Sequence, residues 1–386
     1  MVPPPPPPAP IPAPLAAHPL DHDQPSFLRP ANIAAGHIPV RVGIILPFNS
    51  STAATRTLAA AMLNAAELAL FESKNRDMVL IPADEGASPD DAAAAAQKLL
   101  SQGAEIIIGP LFAQSVTAVA PIARDSGVPV LAFSTERKVA GKGVYLLSFL
   151  PQMEVARVIS YAAAEGHHDL AAMVPQTPYG DIAASAFDDA VKAAGARSVD
   201  VEHFAAGALT APSQAIAKAA PDAVLIAQGG AALKAIAPSL IFSGIDPTKV
   251  KLLGTGLWVD DPTLNKEESL DGGWFAAPEP DANNAFNAKY KEAYGTNPPE
   301  LAPLAYDAIS LVALLAPGTP YHRFTPAALT DPNGFDGVNG IFRFAPDGTA
   351  ERGLAVLEVN PDGFKIVSPA PKTFEKTNSA NRQSPG

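Results

Sequence analysis

The chain has 386 residues, 47% of them hydrophobic and 17% charged, with a formal net charge of −12. This length exceeds one ordinary hydrophobic core and suggests two domains of roughly 150 residues. The acidic balance argues against nucleic acid as a partner, because nucleic acid needs a basic surface, and the lack of cysteine excludes disulfides and thiol catalysis.

The N-terminal region begins with MVPPPPPPAPIPAP. A proline tract cannot form a hydrogen-bonded core and adopts an extended polyproline II conformation, so residues 1–38 are predicted to be a disordered spacer. Two interpretations remain open: a plain disordered tail, or a mature lipoprotein with a lipid anchor upstream of the chain. The sequence contains no run of 18 or more apolar residues, so it does not predict a membrane-spanning helix.

From Val40 onward, short apolar runs alternate with longer segments of helical periodicity. The predicted strands cover 41–48, 78–84, 105–108 and 128–134, and the predicted helices cover 55–74 and 90–103. Such alternation is typical of right-handed βαβ units in a parallel sheet. The strands are apolar throughout, as expected when helices cover both faces of the sheet.

The stretch EIIIGPLFAQSV (105–116) places a strand, a tight turn at Gly109-Pro110 and a helix start in sequence. Gln114 and Ser115 lie at this helix start. A helix N-terminus presents unpaired backbone N–H groups and a partial positive charge, which suits an anion. We therefore expect a carboxylate at this position.

The alternation restarts after a break at 148–151. The predicted strands of this second set cover 170–175, 199–204, 222–228 and 249–255, with a helix over 179–196. An apolar run at 272–277, two helices at 282–294 and 302–316, and hairpin turns at two Pro-Asp-Gly units follow. The predicted fold class is α/β, with two similar lobes, and residues 369–386 are predicted to be a disordered tail.

Motifs for catalysis are missing from the sequence. It contains no G-x-S-x-G, S-x-x-K, H-E-x-x-H or Walker motif, and Gly254-Thr255-Gly256 lacks the third glycine of a dinucleotide fingerprint. His167-His168 follows a helix end and is interpreted as a solvated turn. The sequence therefore predicts a protein that is not an enzyme, with no cofactor and no metal site.

Small polar residues follow several predicted strands. Ser134, Thr135 and Glu136 follow the apolar run VPVLAF, Tyr179 begins a helix, and Gln228 and Thr255 end strands. Ordinary caps and turns explain each residue singly. Their coincidence across both lobes favours a ligand site, since open α/β sheets bind ligands outside the carboxyl ends of their strands.

Over residues 40–367 the chain resembles the type I periplasmic solute-binding proteins of the Leu/Ile/Val-binding kind. The resemblance is carried by the order of RVGIILPF, IIIGPLFAQSV, GVPVLAFST, YGDIAASAFDDAVKAAGA and FAPDGTAERGLAVLEV. It implies two doubly wound parallel-sheet lobes joined by three hinge crossings, near 148–151, 275–278 and 352–354. Lobe 1 would comprise 39–149 and 277–352, and lobe 2 would comprise 150–276 and 353–368.

The resemblance also implies a ligand site in the cleft between the lobes. Gln114, Ser115, Ser134 and Thr135 would form a carboxylate cradle, with Tyr179, Gln228 and Thr255 on the second lobe. Two departures from the family pattern are Gly256, where an acid would hold the ligand's ammonium group, and Glu136, where threonine is expected. These departures favour a small polar, carboxylate or amide ligand over a branched-chain amino acid.

Two functions follow from the resemblance. One is a non-catalytic periplasmic receptor, the solute-binding component of an ABC importer with a membrane permease as partner. The other is that of the penicillin-binding-protein activator lipoproteins, which share the fold and regulate a cell-wall synthase by protein contacts. The GPLF turn and the proline-rich spacer are similar to that subgroup, and the sequence leaves both functions open.

Overall fold

The computed structural model describes residues 27–29, 39–73, 77–259, 261 and 263–374. The predictions for 1–26, 30–38 and 375–386 lie outside these residues. The described chain forms two α/β lobes, each built on its own sheet. The predicted fold class is confirmed.

Lobe 1 is built on a parallel five-stranded sheet with the order β2-β1-β3-β4-β5. Its strands are β1 (Val40–Leu46), β2 (Met78–Asp84), β3 (Ile106–Ile108), β4 (Val130–Ala132) and β5 (Val144–Leu146). The helices between them are α1 (Ala53–Glu72), α2 (Pro89–Ser101) and α3 (Ala113–Asp125).

Strand β1 shows why these apolar runs form the centre of a doubly wound sheet. All seven of its residues are buried, and successive side chains point to opposite faces. Ile44 packs into the core beneath α1, whereas Ile45 packs into the core beneath α2 and α3. A strand covered by helices on both faces favours apolar residues along its whole length, and six of the seven residues of β1 fit this pattern, with the buried Arg41 as the exception.

Lobe 2 contains a seven-stranded sheet with the order β14-β13-β10-β9-β8-β6-β7. Strands β6 to β10 are parallel, and the last two strands are antiparallel. The elements up to β10 are α4 (Pro151–Ala164), β6 (Asp169–Pro175), α5 (Pro178–Ala193), β7 (Arg197–Phe204), α6 (Thr210–Ala219), β8 (Ala223–Ile226), α7 (Gly230–Phe242), β9 (Lys251–Gly254) and β10 (Trp274–Ala277).

The C-terminal third of the chain returns to lobe 1 and then to lobe 2. It contributes α8 (Asn284–Tyr294), α9 (Ala302–Leu315), α10 (Pro326–Leu329), the hairpin of β11 (Phe342–Phe344) and β12 (Ala350–Arg352), and the hairpin of β13 (Ala355–Asn360) and β14 (Gly363–Ser368). Helices α8 and α9 pack in the same core as α1. Within the described residues, none of the helices combines the length and the apolar character that a bilayer span requires.

The chain passes between the two sheets at three places: between β5 and α4, after β10, and between β12 and β13. Residues 275–277, expected in a crossing, are instead strand residues of β10 paired with β13. Arg352 joins two of the crossings, because its Nε donates to the Ser148 carbonyl oxygen at 3.2 Å and its guanidinium lies 4.3 Å from the Phe149 ring centre.

Part of the predicted N-terminal spacer packs against lobe 1. Phe27 is buried in the core beneath α2 and α3. Leu28 forms an antiparallel bridge to Leu80, with backbone hydrogen bonds of 2.9 and 2.8 Å in the two directions. The expectation that no residue before Ile38 packs on the body is therefore wrong at these positions. The bridge covers part of the free edge of β2.

The first residues of the predicted C-terminal tail are also packed. Residues 369–374, here called the C-terminal strap, leave β14 of lobe 2 and reach lobe 1. The Ala370 N–H donates to Glu279 Oε1 at 2.9 Å, and the Phe374 ring lies 4.5 Å from the Arg343 guanidinium on β11. The prediction of a disordered tail from residue 369 is thus wrong for the strap, because Ala370 packs against the core of lobe 2 and Phe374 lies against Arg343.

Candidate functional site

The start of α3, predicted to cradle a ligand carboxylate, already holds a carboxylate of the protein itself. Glu85 follows β2 and accepts hydrogen bonds from the backbone N–H groups of Leu111 at 2.9 Å and Phe112 at 3.0 Å. It also accepts the hydroxyl of Ser115. Glu85 is only 1% exposed. The anion expected from the sequence is therefore present, but it is internal and structural.

Two opposing effects act on this buried carboxyl group. Burial raises the pKa of Glu85, since the charged form loses its hydration, while the three donors favour the charged form and limit the rise. Gly109 allows the preceding turn with a φ of +81°, where an added Cβ would overlap the Ile45 carbonyl oxygen. Ser115 is buried and bonded to Glu85, Gln114 lies exposed on α3, and ligand binding by either residue stays a prediction.

The loop after β4 places one of its three predicted residues in the cleft. The buried Ser134 hydroxyl accepts the Glu136 N–H at 3.1 Å, and Glu136 Oε1 accepts the Lys138 N–H at 3.3 Å. Both side chains thus stabilise the loop itself rather than line the cavity described next. Thr135 is exposed and does line that cavity.

A cavity of about 330 Å³ lies between the two lobes beside the crossings. Its lining comes from both lobes and from the segments that connect them. The lining residues are Thr135, Phe149, Pro151, Glu154, Tyr179, Gly256, Leu257, Val259, Pro278, Glu279, Pro280, Asn283, Glu300, Leu301 and Asn339. Such a position, outside the strand ends and between two lobes, is where α/β proteins bind small molecules.

Tyr179 enters this cavity from the first turn of α5. The Thr177 side chain caps that helix by accepting the Gly180 N–H. The Tyr179 hydroxyl lies 3.1 Å from Thr255 Oγ1, and burial raises the pKa of Tyr179 to about 12, with the Glu154 charge adding to the shift. The phenol is therefore neutral at physiological pH.

The two other predicted residues of lobe 2, Thr255 and Gln228, are not among the residues that line the cavity. Thr255 is fully buried and contacts the Tyr179 hydroxyl rather than the cavity. The Gln228 side chain donates from Nε2 to the adjacent Gly229 carbonyl oxygen at 3.2 Å, and the Gln228 backbone carbonyl oxygen accepts the Trp258 indole N–H at 3.1 Å. Thr255 therefore contacts Tyr179 and the Gln228 side chain contacts its own backbone neighbour, and ligand contact by either residue stays a prediction.

Sequence reasoning missed the acidic side chains of the cavity. Glu154 lies in the first turn of α4, and its Oε2 accepts a hydrogen bond of 3.0 Å from the Gly256 N–H. An added Cβ on Gly256 would lie 2.8 Å from Glu154 Oε1, so the glycine makes room for this carboxylate. Glu279 follows the second crossing, and Glu300 precedes α9. The one feature of the sequence that could have indicated these three glutamates is that each lies close to a predicted crossing or to the start of a predicted helix.

Comparison with known protein families identifies the family to which the chain belongs. The periplasmic binding protein family matches residues 39–364. The chain belongs to the periplasmic binding protein family. Its match extends over both lobes and all three crossings, and among curated protein sequences none matches the chain.

Solved structures show the same fold at low sequence identity. A putative branched-chain amino acid ABC transporter protein from Rhodospirillum rubrum is 19% identical with a TM-score of 0.75, covering 85% of this chain and 100% of its own. A solute binding protein from Rhodopseudomonas palustris BisB5, in complex with 3,4-dihydroxybenzoic acid, is 19% identical with a TM-score of 0.59 over 88% and 99%. A leucine binding protein from Thermotoga maritima is 20% identical with a TM-score of 0.56 over 86% and 98%.

Proposed function

We propose that this periplasmic binding protein is a non-catalytic extracytoplasmic receptor that binds a small molecule between its lobes and serves as the solute-binding component of an ABC importer. The observation that carries the proposal is the cavity lined by both lobes next to the three crossings. A ligand held from both sides favours a closed arrangement over an open one by its extra contacts, which is how such a receptor signals occupancy.

The size and lining of the cavity support a small ligand. A volume of about 330 Å³ lies at the lower end of the ~300–1,000 Å³ typical of small-molecule sites. Thr135, Asn283 and Asn339 supply hydrogen-bonding groups, while Phe149 and Leu257 supply apolar surface. The structural neighbours include a branched-chain amino acid ABC transporter protein and a solute binding protein in complex with an aromatic acid, which is consistent with a small solute.

The proposal extends to location and partners. Membership of the family supports an extracytoplasmic location, and a membrane permease would receive the closed form. Upstream of Phe27, the proline-rich residues would act as the spacer of a lipid-anchored protein.

A ligand screen by thermal shift, followed by calorimetry on the full chain, tests the receptor function. We expect at least one small solute to raise the melting temperature and to bind with micromolar or better affinity. Small-angle scattering should then show a decrease in the radius of gyration on binding. A chain that binds no small solute but binds a cell-wall synthase would overturn the receptor proposal in favour of the synthase-regulating alternative.

A further inference from the structure

Asn339 contributes a buried side-chain amide to the wall of the interlobe cavity. The residue is only 5% exposed, and within the described residues its side chain makes no hydrogen bond to the protein. Buried polar groups of native proteins nearly always have a partner, so such a group at a cavity indicates a ligand. We propose that the cavity binds a neutral carboxamide whose amide group pairs with the Asn339 side chain. This inference rests on the proposed function, because it specifies the ligand class of the same site.

The loop that carries Asn339 is held in place by the protein. The neighbouring Val338 N–H donates to Oδ1 of Asp307 at 2.7 Å, and Asp307 is buried. An added Cβ on Gly337 would lie 2.7 Å from Asp307 Oδ2, and Gly340 has a φ of +93°, so both positions favour glycine. A loop fixed in this way holds the Asn339 backbone before a ligand binds, which lowers the cost of ordering the site.

The Asn339 side chain selects for a ligand group that has both a donor and an acceptor. Its carbonyl oxygen accepts hydrogen bonds and its NH₂ group donates them. A ligand carboxamide offers the matching pair, whereas a carboxylate offers acceptors alone and an ammonium or amidinium group offers donors alone. Either charged group would leave part of the Asn339 amide without a partner, and a buried polar group left unpaired costs more than a typical hydrogen bond contributes.

The glutamates that line the cavity interact with the chain itself. Glu154 accepts the Gly256 N–H and Glu279 accepts the Ala370 N–H. Glu154 and Glu300 each have a further interaction with the protein. These acids therefore do not require a cationic ligand. Among the described lining residues none is lysine, arginine or histidine, so a ligand carboxylate would meet no basic partner there. A neutral ligand satisfies both conditions.

Apolar side chains form much of the remaining wall. Phe149, Leu257, Val259 and Leu301 all line the cavity. Their surfaces suit a small hydrocarbon or aromatic body attached to the amide group, because burying apolar area in contact with them is favourable. The volume of about 330 Å³ restricts that body to a compact ring or a short branched chain.

A smaller cavity of about 250 Å³ shares part of this wall. Asn339 and Glu279 line both cavities. Lys372 of the C-terminal strap lines the smaller cavity but not the interlobe one, and Leu257 lines the interlobe cavity but not the smaller one. Substitution of Lys372 and of Leu257 therefore distinguishes the two places in which a ligand could contact Asn339.

Calorimetry on the full chain with probes of matched shape tests the inference. Benzamide, benzoate and benzamidine carry the same ring, and their planar groups are a neutral amide, an anion with acceptors alone and a cation with donors alone. The other two probes are 3-methylbutanamide, an aliphatic amide, and leucine, a branched zwitterion. We expect benzamide or 3-methylbutanamide to bind at least tenfold more tightly than benzoate, benzamidine and leucine.

Four substitutions locate the contact. Asn339→Leu keeps the size of the side chain without its hydrogen bonds and should weaken amide binding at least tenfold. Asn339→Asp offers acceptors alone, so it should shift the preference from benzamide towards benzamidine, a result that a loss of structure would not give. Leu257→Ala should weaken amide binding, whereas Lys372→Ala should leave it unchanged. The matched control is Asn287→Leu on α8, outside the lining of both cavities, which should bind the amide as the unaltered chain does.

The possible failures are distinguishable. Binding of benzoate, benzamidine or leucine without either amide would overturn the inference while leaving the receptor function intact. Amide binding that is indifferent to Asn339→Leu, or that is lost in Lys372→Ala but not in Leu257→Ala, would overturn it as well. If the probes fail and a broad library yields a solute without an amide group, only the inference fails. If no solute binds, the receptor function fails too.

Discussion

Glu85 converts a helix N-terminus that could bind a ligand into part of the framework of lobe 1. Replacing it with alanine would leave the N–H groups of Leu111 and Phe112 without their acceptor. We expect Glu85→Ala to lower the free energy of unfolding by about 2–4 kcal/mol, since buried donors that lose a charged partner are costly. Urea denaturation followed by circular dichroism measures the change.

Ser115→Ala provides a finer test of the same framework. It removes one hydroxyl from Glu85 and should lower the unfolding free energy by about 1 kcal/mol while leaving ligand affinity unchanged. Gln114→Ala, one position earlier and exposed, is the matched control and should change neither quantity. A large loss of affinity in Ser115→Ala at unchanged stability would assign Ser115 to the ligand site.

Tyr179, like Thr135, is a predicted site residue that lines the cavity, and its ring offers a large surface for direct ligand contact. We expect Tyr179→Ala to weaken the bound solute at least tenfold, or ~1.4 kcal/mol, because the ring that lines the cavity is lost. Tyr179→Phe keeps the ring and loses only the contact with Thr255, so its affinity should fall less than threefold. Equal losses in both variants, measured by calorimetry, would assign the effect to the hydroxyl instead.

The sequence predicted some residues of the cavity and not others for a physical reason. Thr135 and Tyr179 follow the carboxyl ends of strands, where the topology alone places them near the cleft. Glu154, Glu279 and Glu300 come from three segments distant in sequence, and only the folded chain brings their charges together. Ligand contact by Thr135 or Tyr179 remains a prediction.

At the scale of elements, the short segment Phe27–Arg29 behaves as part of lobe 1. We expect deletion of residues 1–26 to leave the melting temperature unchanged, whereas deletion of residues 1–35 should lower the unfolding free energy by about 1.5–3 kcal/mol. The larger deletion removes the buried Phe27 side chain and the two backbone hydrogen bonds of Leu28. Differential scanning calorimetry of the two truncated chains distinguishes the contributions, and equal melting temperatures would contradict the packing.

Some of these elements can be predicted from the sequence and others cannot. Strand β1 is a continuous, mostly apolar run and helix α1 is a long segment of helical periodicity, so the existence of both follows from the sequence pattern alone. Phe27 and Leu28 lie between proline-rich and polar residues and carry no periodic signal. Their place depends on the unpaired edge of β2, a property of the assembled sheet.

At the scale of the whole molecule, a buried acid of α9 and a buried arginine at the third crossing influence each other electrostatically. Asp307 on α9 accepts the Val338 N–H at 2.7 Å, and Arg352 lies at the third crossing. Burial raises the pKa of Asp307 from 3.8 to about 7, and the positive charge of Arg352 opposes the rise. Burial also lowers the pKa of Arg352 to about 10, so it stays charged at neutral pH.

This pair predicts a pH dependence of stability. Between about pH 4 and pH 7 the folded protein retains the Asp307 proton that the unfolded chain has released. The free energy of unfolding therefore falls as pH rises through that window, by up to ~1.4 kcal/mol per unit. Asp307→Asn cannot ionise, so the stability of the unaltered chain relative to this variant should decline from pH 4.5 to 6.5. Parallel curves in urea denaturation would contradict the assignment.

The C-terminal strap couples the cavity to the surface of the molecule. Glu279 lines the cavity and also accepts the Ala370 N–H, so solute binding and strap docking act on one carboxylate and must influence each other reciprocally. The chain contains no cysteine, so Thr373→Cys would introduce a single, exposed attachment point for a dye. Fluorescence from the strap would then report on the occupancy of the cleft without any label inside it.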